Sequence, residues 1–139
     1  MATRDPLSNR NKAVVAFLDG RRMKGYIHDL SAQKDRFHLF SEPDAARGEG
    51  TEVYMKDLKA IFLARDLVGG SEYSESQEFN VQNQSRKAEV TFRDGEKLAG
   101  TSEGYNPQEY GFFLVPADPR SNHLRVFVIT RNAAQIRWV

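Results

Sequence analysis

The chain has 139 residues, with 20 Lys and Arg against 19 Asp and Glu, for a formal net charge of +1. At 40% hydrophobic and 11% aromatic it has the composition of a globular protein, not of a disordered, collagen-like or membrane-spanning one. Near-neutrality excludes a global pull toward nucleic acid or anionic lipid. The absence of cysteine excludes disulfides, cysteine-ligated zinc, iron–sulfur clusters and thiol nucleophiles.

Residues 1–11 read as a polar tail: Met1 to Ser8 has no apolar core of signal-peptide length. The longest uninterrupted apolar run, Ala13 to Leu18, is far short of the roughly 20 residues that span a bilayer. Together with the missing cysteines, this sets the expectation of a cytoplasmic protein. From Lys12 the apolar runs are short, β-branched or aromatic, and bounded by turn residues, which is the pattern of strands. Lys12 to Leu18 is the first, ending in Asp19-Gly20, a tight-turn signal before a second strand from Arg21 to His28. Gly25 inside that strand predicts a sharp bend. Phe37 to Phe40, Glu52 to Lys56 and Ala60 to Ala64 follow as the third, fourth and fifth strands. Helical periodicity is confined to a few residues around Asp44 to Arg47.

Residues 67–86 have linker composition, rich in Gly, Ser, Gln and Asn with an acidic excess. Ser71, Ser74 and Ser76 lie beside acids; a solvated linker accounts for them more simply than phosphorylation does. Past it the first segment returns. Lys12 to Gly25 aligns with Lys87 to Gly100 at a spacing of 75, with seven of 14 positions identical, Asp94-Gly95 standing where Asp19-Gly20 stood. Phe37 and Leu39 match Phe112 and Leu114 at the same spacing. A shorter loop is then expected to shift the alignment, setting Glu52-Val-Tyr-Met against Arg125-Val-Phe-Val and Ala60-Ile-Phe-Leu-Ala against Ala134-Gln-Ile-Arg-Trp. The chain therefore reads as a tandem duplication, 12–66 and 87–139, of one all-β unit. The copies carry ten basic and nine acidic residues, and seven and six, so neither is a basic module. Five short strands per copy would close their edges best by curving into a small barrel.

The strand order with its Asp-Gly turn, internal Gly, long loop and paired final strands resembles the Sm-like small barrel. More narrowly, Asp19-Gly20, Lys24-Gly25-Tyr26, His28-Asp29, Phe37-His38-Leu39 and Asp57 to Phe62 resemble an uncharacterised bacterial domain family. The resemblance implies a fold class of two tandem five-stranded Sm-like small barrels and carries no activity with it. Sm-like proteins bind RNA through an Asp/Asn loop after the second strand and an Arg-Gly pair after the fourth. The corresponding loops, Ser31 to Arg36 and Lys56-Asp57, and in the second copy Asn106 to Tyr110 and Thr130 to Asn132, lack those residues. The cyclic di-GMP-binding PilZ barrel is a second comparison. Asp29-Leu30-Ser31 matches half of its second motif, Lys34 replaces the Gly, and no arginine pair four apart precedes it; Asp29 and Ser31 then simply make a turn.

A hairpin of the second and third strands centred on Gln33 would place His28 opposite His38. Ile27, Phe37 and Leu39 would turn to the core, while Tyr26 and Phe40 flank the histidines outside. The second copy has Thr101, Glu103, Phe113 and Val115 at these positions, and two imidazoles without a third ligand make poor zinc chemistry. No phosphate loop, zinc-protease helix or nucleophile elbow is present, and His123 sits in a polar loop. The expectation is thus a non-enzymatic protein without cofactor or metal, whose partner is another protein or a second copy of itself, away from membranes. Its expected interaction face is Tyr26, His28, His38 and Phe40, with Trp138 near the terminal edge, Tyr and Trp being common anchors. The alternative is a nucleic-acid or nucleotide ligand (RNA or cyclic di-GMP) held by Arg21, Arg22, Lys34 and Arg36.

Overall fold

A computed structural model describes residues 11–64, 86–117 and 124–139. Among these residues it is all-β. The strands are β1 (Asn11–Phe17), β2 (Arg22–Ile27), β3 (Arg36–Leu39), β4 (Thr51–Tyr54), β5 (Leu58–Ala64), β6 (Arg86–Phe92), β7 (Lys97–Glu103), β8 (Gly111–Pro116), β9 (Leu124–Ile129) and β10 (Ala133–Trp138). The helical hint around Asp44 to Arg47 becomes a single 3-10 turn, Arg47–Glu49, and further 3-10 turns precede β5 and β10. The tail up to Arg10, the 67–86 linker up to Arg86, its three serines and His123 lie outside the described residues, while Asn11 already belongs to β1 and Arg86 to β6. No helix among those described is long and apolar enough to cross a membrane.

The two Asp-Gly turns form for one local reason. Gly20 and Gly95 take φ of 96° and 93°, a region that a Cβ disfavours. The preceding aspartates accept hydrogen bonds from the amides two residues on, Arg21 N at 2.9 Å and Glu96 N at 3.0 Å. Gly25 and Gly100 meet a close approach of backbone. A Cβ there would lie 2.5 Å from the Phe40 carbonyl oxygen and 2.3 Å from that of Val115, so glycine lets β2 and β7 approach the next strand.

Eight strands form one antiparallel sheet in the order β10-β6-β7-β8-β9-β5-β1-β2, and β3 and β4 form a second, two-stranded one. An isolated bridge between Tyr26 and Phe40 links β2 to β3. Each pairing within β1–β5 recurs within β6–β10 with every residue number raised by 75. Ala13 faces Leu63 and Ala88 faces Trp138; Phe37 faces Val53 and Phe112 faces Val128; Tyr26 faces Phe40 and Thr101 faces Val115. Even the irregularity of β1 against β5 at Ala16 and Phe17 has its counterpart where β6 meets β10. This uniform spacing corrects the shifted alignment expected for the last two strands: Val53 corresponds to Val128, not Val126, and Ile61 to Ile136, not Gln135. The loop after β8 is not shortened by deletion. Instead β8 and β9 each run two residues further into it than β3 and β4 do.

Between the halves runs the β5–β9 pairing, Ala60 against Val128 through Ala64 against Leu124. Alternation along these strands sends side chains to both sides, and both sides are apolar. One cluster joins Val15, Ile27, Phe37, Leu58 and Ile61 with Phe127 and Ile129 from the other half. The second joins Val90, Phe92, Phe112 and Leu114 with Val126, Val128 and, from β5, Ala60, against which Phe62 packs. Each half thus completes the other's core. Two polar ties cross the same seam. The Asn132 amide donates to the carbonyls of Lys56 (3.0 Å) and Leu58 (2.8 Å). Lys59, only 7% exposed, reaches Asp94 at 2.7 Å and also Glu96.

Candidate functional site

The residues expected to form an interaction face separate into two places. Tyr26, His28, His38 and Phe40 lie together where β2 leaves β3. Two backbone hydrogen bonds close the Tyr26–Phe40 bridge, at 2.7 and 2.9 Å. Continued in register, this pairing would set His28 opposite His38, as the hairpin reading has it. The ladder stops first, because Asp29 intervenes. Its carboxylate accepts the His38 backbone N–H at 3.0 Å and engages His38 Nδ1 at 2.8 Å, so the chain turns away after His28. Burial pushes the Asp29 carboxyl up, but the hydrogen bonds from the His38 ring and amide outweigh it and hold the group below its ordinary value. Ser31 accepts from Gln33 N at 3.1 Å and the Ser31 carbonyl from Lys34 N, so Asp29 and Ser31 act here as turn residues.

The faces fall as the alternation predicts for the core residues: Ile27, Phe37 and Leu39 are buried. Phe40 departs from the expectation. Its ring points away from either core cluster yet is only 2% exposed, because the loop from Ser41 to Gly50 returns across it. A Cβ on Gly50 would lie 2.8 Å from that ring, so glycine is what admits the cover. His28 stacks on Phe40, centroids 5.4 Å apart at 21°. What reaches the surface is therefore exposed His28 with half-buried Tyr26 and His38, seated on a buried Phe40. Beside them on β3 and β4, Arg36 bonds Asp35 (3.1 Å), Glu52 (3.2 Å) and the Tyr54 hydroxyl (3.3 Å). The Tyr54 hydroxyl and Arg36 in turn hold Glu52 below its ordinary pKa.

Trp138 is not part of this face. It packs into the second half's cluster, 4.7 Å from the Tyr105 ring and 6.1 Å from Phe112, with the Arg86 guanidinium 4.7 Å above it. The four cations of the alternative site are not brought together either. Arg21 and Arg22 lie at the β1–β2 turn and Lys34 and Arg36 beyond the other end of β2. Arg21 is paired with Asp19 at 2.8 Å, Arg22 lies over the Phe62 ring at 5.8 Å, and Arg36 is held by the network above. Among the described residues no group of three or more His, Asp or Glu is placed to hold a metal ion.

The corresponding surface of the second half is occupied. Phe113, at the position of His38, packs edge-on against Phe127 (4.9 Å) beneath the Arg125 guanidinium (4.3 Å) and leans on the first half's core. Half-buried Tyr110 joins it, and its amide donates to the Ala32 carbonyl at 2.8 Å. This asymmetry was not legible in the sequence, since it depends on which strands meet across the halves.

These features define a small all-β protein whose two halves share cores through one continuous antiparallel sheet. The chain belongs to a family of unknown function (DUF6982), whose profile matches residues 9–139. No curated protein and no solved structure matches it.

Proposed function

We propose that the chain is a tandem duplication of one five-stranded, Sm-like small barrel and works as a non-catalytic protein–protein interaction module. Support for the duplication comes from the constant 75-residue spacing of every strand pairing. One observation carries the function. The face that the second half uses to receive the first, built on Phe113 and Phe127, has a counterpart in the first half built on His38 and Glu52, whose side chains keep 42% and 43% of their surface exposed. His28, its ring braced by Phe40, and the neighbouring Tyr26 extend that face.

The ring surfaces supply apolar contact area at little conformational cost, while Asp29, Glu52 and Arg36 supply a polar rim, the arrangement of a reversible interface. β4 adds a strand edge without a partner among the described strands, open to main-chain pairing with a bound segment. The test is affinity purification from the native host after nuclease treatment, using the wild-type chain and a His28→Ala/His38→Ala variant. A stoichiometric protein partner that survives nuclease and is lost from the variant supports the module. A partner retained equally by the variant, or released by nuclease, contradicts it.

A further inference from the structure

On the outer side of β1 and β2 lies a groove of about 370 Å3 lined by Lys12, Val14, Lys24, Tyr26 and Ser41. Its chemistry follows from register. Lys12 stands directly opposite Tyr26 and Val14 opposite Lys24, so the two lysines are diagonal neighbours on one face. Diagonal Cβ atoms on a sheet are about 7–8 Å apart, within which two four-carbon stems can bring both ammonium groups onto a single dianion. Among the described residues neither lysine forms an ion pair, and the outward positions around them on β1 and β2 carry no carboxylate. Val14 gives the floor an apolar patch, Tyr26 a half-buried ring at one side and Ser41 a hydroxyl at the rim.

Strand structure alone does not impose this set. At the corresponding places the second half has Lys87 opposite Thr101 and Glu89 opposite Ala99, with Glu89 taken by Arg137 at 2.9 Å. There one cation remains, the aromatic is gone and a carboxylate has entered. Two unpaired ammonium groups, an aromatic ring and a hydroxyl around an apolar floor match the parts of a nucleotide.

We propose that this groove binds a nucleoside monophosphate unit, its phosphate between Lys12 and Lys24 and its base against Tyr26, either as the free nucleotide or within single-stranded nucleic acid. Ammonium groups hold phosphate as point charges, and base stacking on an aromatic tolerates any base. The site is distinct from the four-cation cluster expected from sequence, and it stands or falls separately from the protein-binding face, with which it shares only Tyr26.

Amide-resolved NMR titrations of the full chain with uridine monophosphate, a uridine oligonucleotide and inorganic phosphate test it. The expected result is shift changes centred on Lys12, Lys24, Tyr26 and Ser41. A Lys12→Ala/Lys24→Ala variant, both positions being exposed, should keep its melting temperature and bind about tenfold or more weakly, the scale of losing charge-assisted hydrogen bonds. Lys87→Ala should bind as wild type. Equal affinity for monomer and oligomer identifies the free nucleotide, and binding of the oligomer alone, with a log–log salt slope of about −0.7 for the one phosphate held, identifies the strand. No shifts with either, shifts centred elsewhere, affinity unchanged in the double variant, or inorganic phosphate binding as tightly as the nucleotide would each overturn it. Partner capture that depends on His28 and His38 but not on the lysine pair leaves the two readings separable.

Discussion

Lys59 is the side chain on which the most electrostatic consequence rests. Burial pushes its pKa down, yet hydrogen bonds to Asp94 and Glu96 outweigh that and hold it above the ordinary lysine value. Asp94 is held below its ordinary value, first by the Lys59 hydrogen bond and then by the Glu96 amide. A depressed carboxyl contributes stability that is complete above its unfolded pKa and is lost as pH falls through the folded one. The melting temperature should therefore drop once pH falls below the ordinary aspartate range, as Asp94 takes up a proton and Lys59 loses a partner. Lys59→Met fills the same space without the charge, and buried ion pairs are often replaced by apolar groups at no cost. The variant should match wild type at neutral pH and show a shallower acid limb; an unchanged acid limb would assign that limb to other carboxylates. Sequence gave no hint of this residue, because its partners lie 35 and 37 positions away. The Asp-Gly turns, by contrast, were fully legible, since their hydrogen bonds close over two residues.

At the scale of elements, the strands were legible to within a residue or two at most ends, because each carries its own alternation and its own turn signals. The register of the later strands was not. A two-residue slip preserves alternation and looks equally good in sequence, and the expected match of Ala60-Ile-Phe with Ala134-Gln-Ile is a one-residue slip that would turn the strand over. Ile61 and Ile136, which both face their own half's core, show the true correspondence. The β5–β9 seam was equally hidden, as it joins strands with no local signal for each other. It carries a mechanical consequence. Phe127 is buried at 0% exposure in the first half's core although it belongs to the second half. Phe127→Ala should cost about 3–5 kcal/mol in denaturant unfolding and leave a single transition for the whole chain. Separate transitions for the two halves, with the first unaffected, would contradict the shared core.

Across the whole molecule, two strand edges have no partner among the described strands, β4 at one end and β10 at the other. They are the counterparts of the strands that meet in the seam, so a second chain has a geometric route to add on. Their chemistry opposes it. Where the seam has Ala60, Phe62, Phe127 and Ile129, the corresponding edge positions hold Gln135, Arg137, Glu52 and Tyr54. Polar and charged residues on a strand edge discourage edge-to-edge pairing. The chain should sediment as a monomer, and a Glu52→Phe/Arg137→Phe variant should associate with increasing concentration; a wild-type dimer or ring would show that the polar edges pair after all. The same polarity suits β4 to a reversible partner of another kind, beside Tyr26, His28 and His38. Phe40 lies on the expected side but is buried there, because the cover over it comes from a loop ten residues on, ending at Gly50.

The most direct test of the central claim is amide hydrogen exchange of the chain alone and saturated with its captured partner. Alone, β5 and β9 should exchange slowest, as the strands paired on both sides within the shared cores. With partner bound, new protection should fall on residues 26–40 and on β4, leaving β10 and the Trp138 cluster unchanged. Protection confined to β10, or none on the first half, would place the binding surface elsewhere and contradict the account.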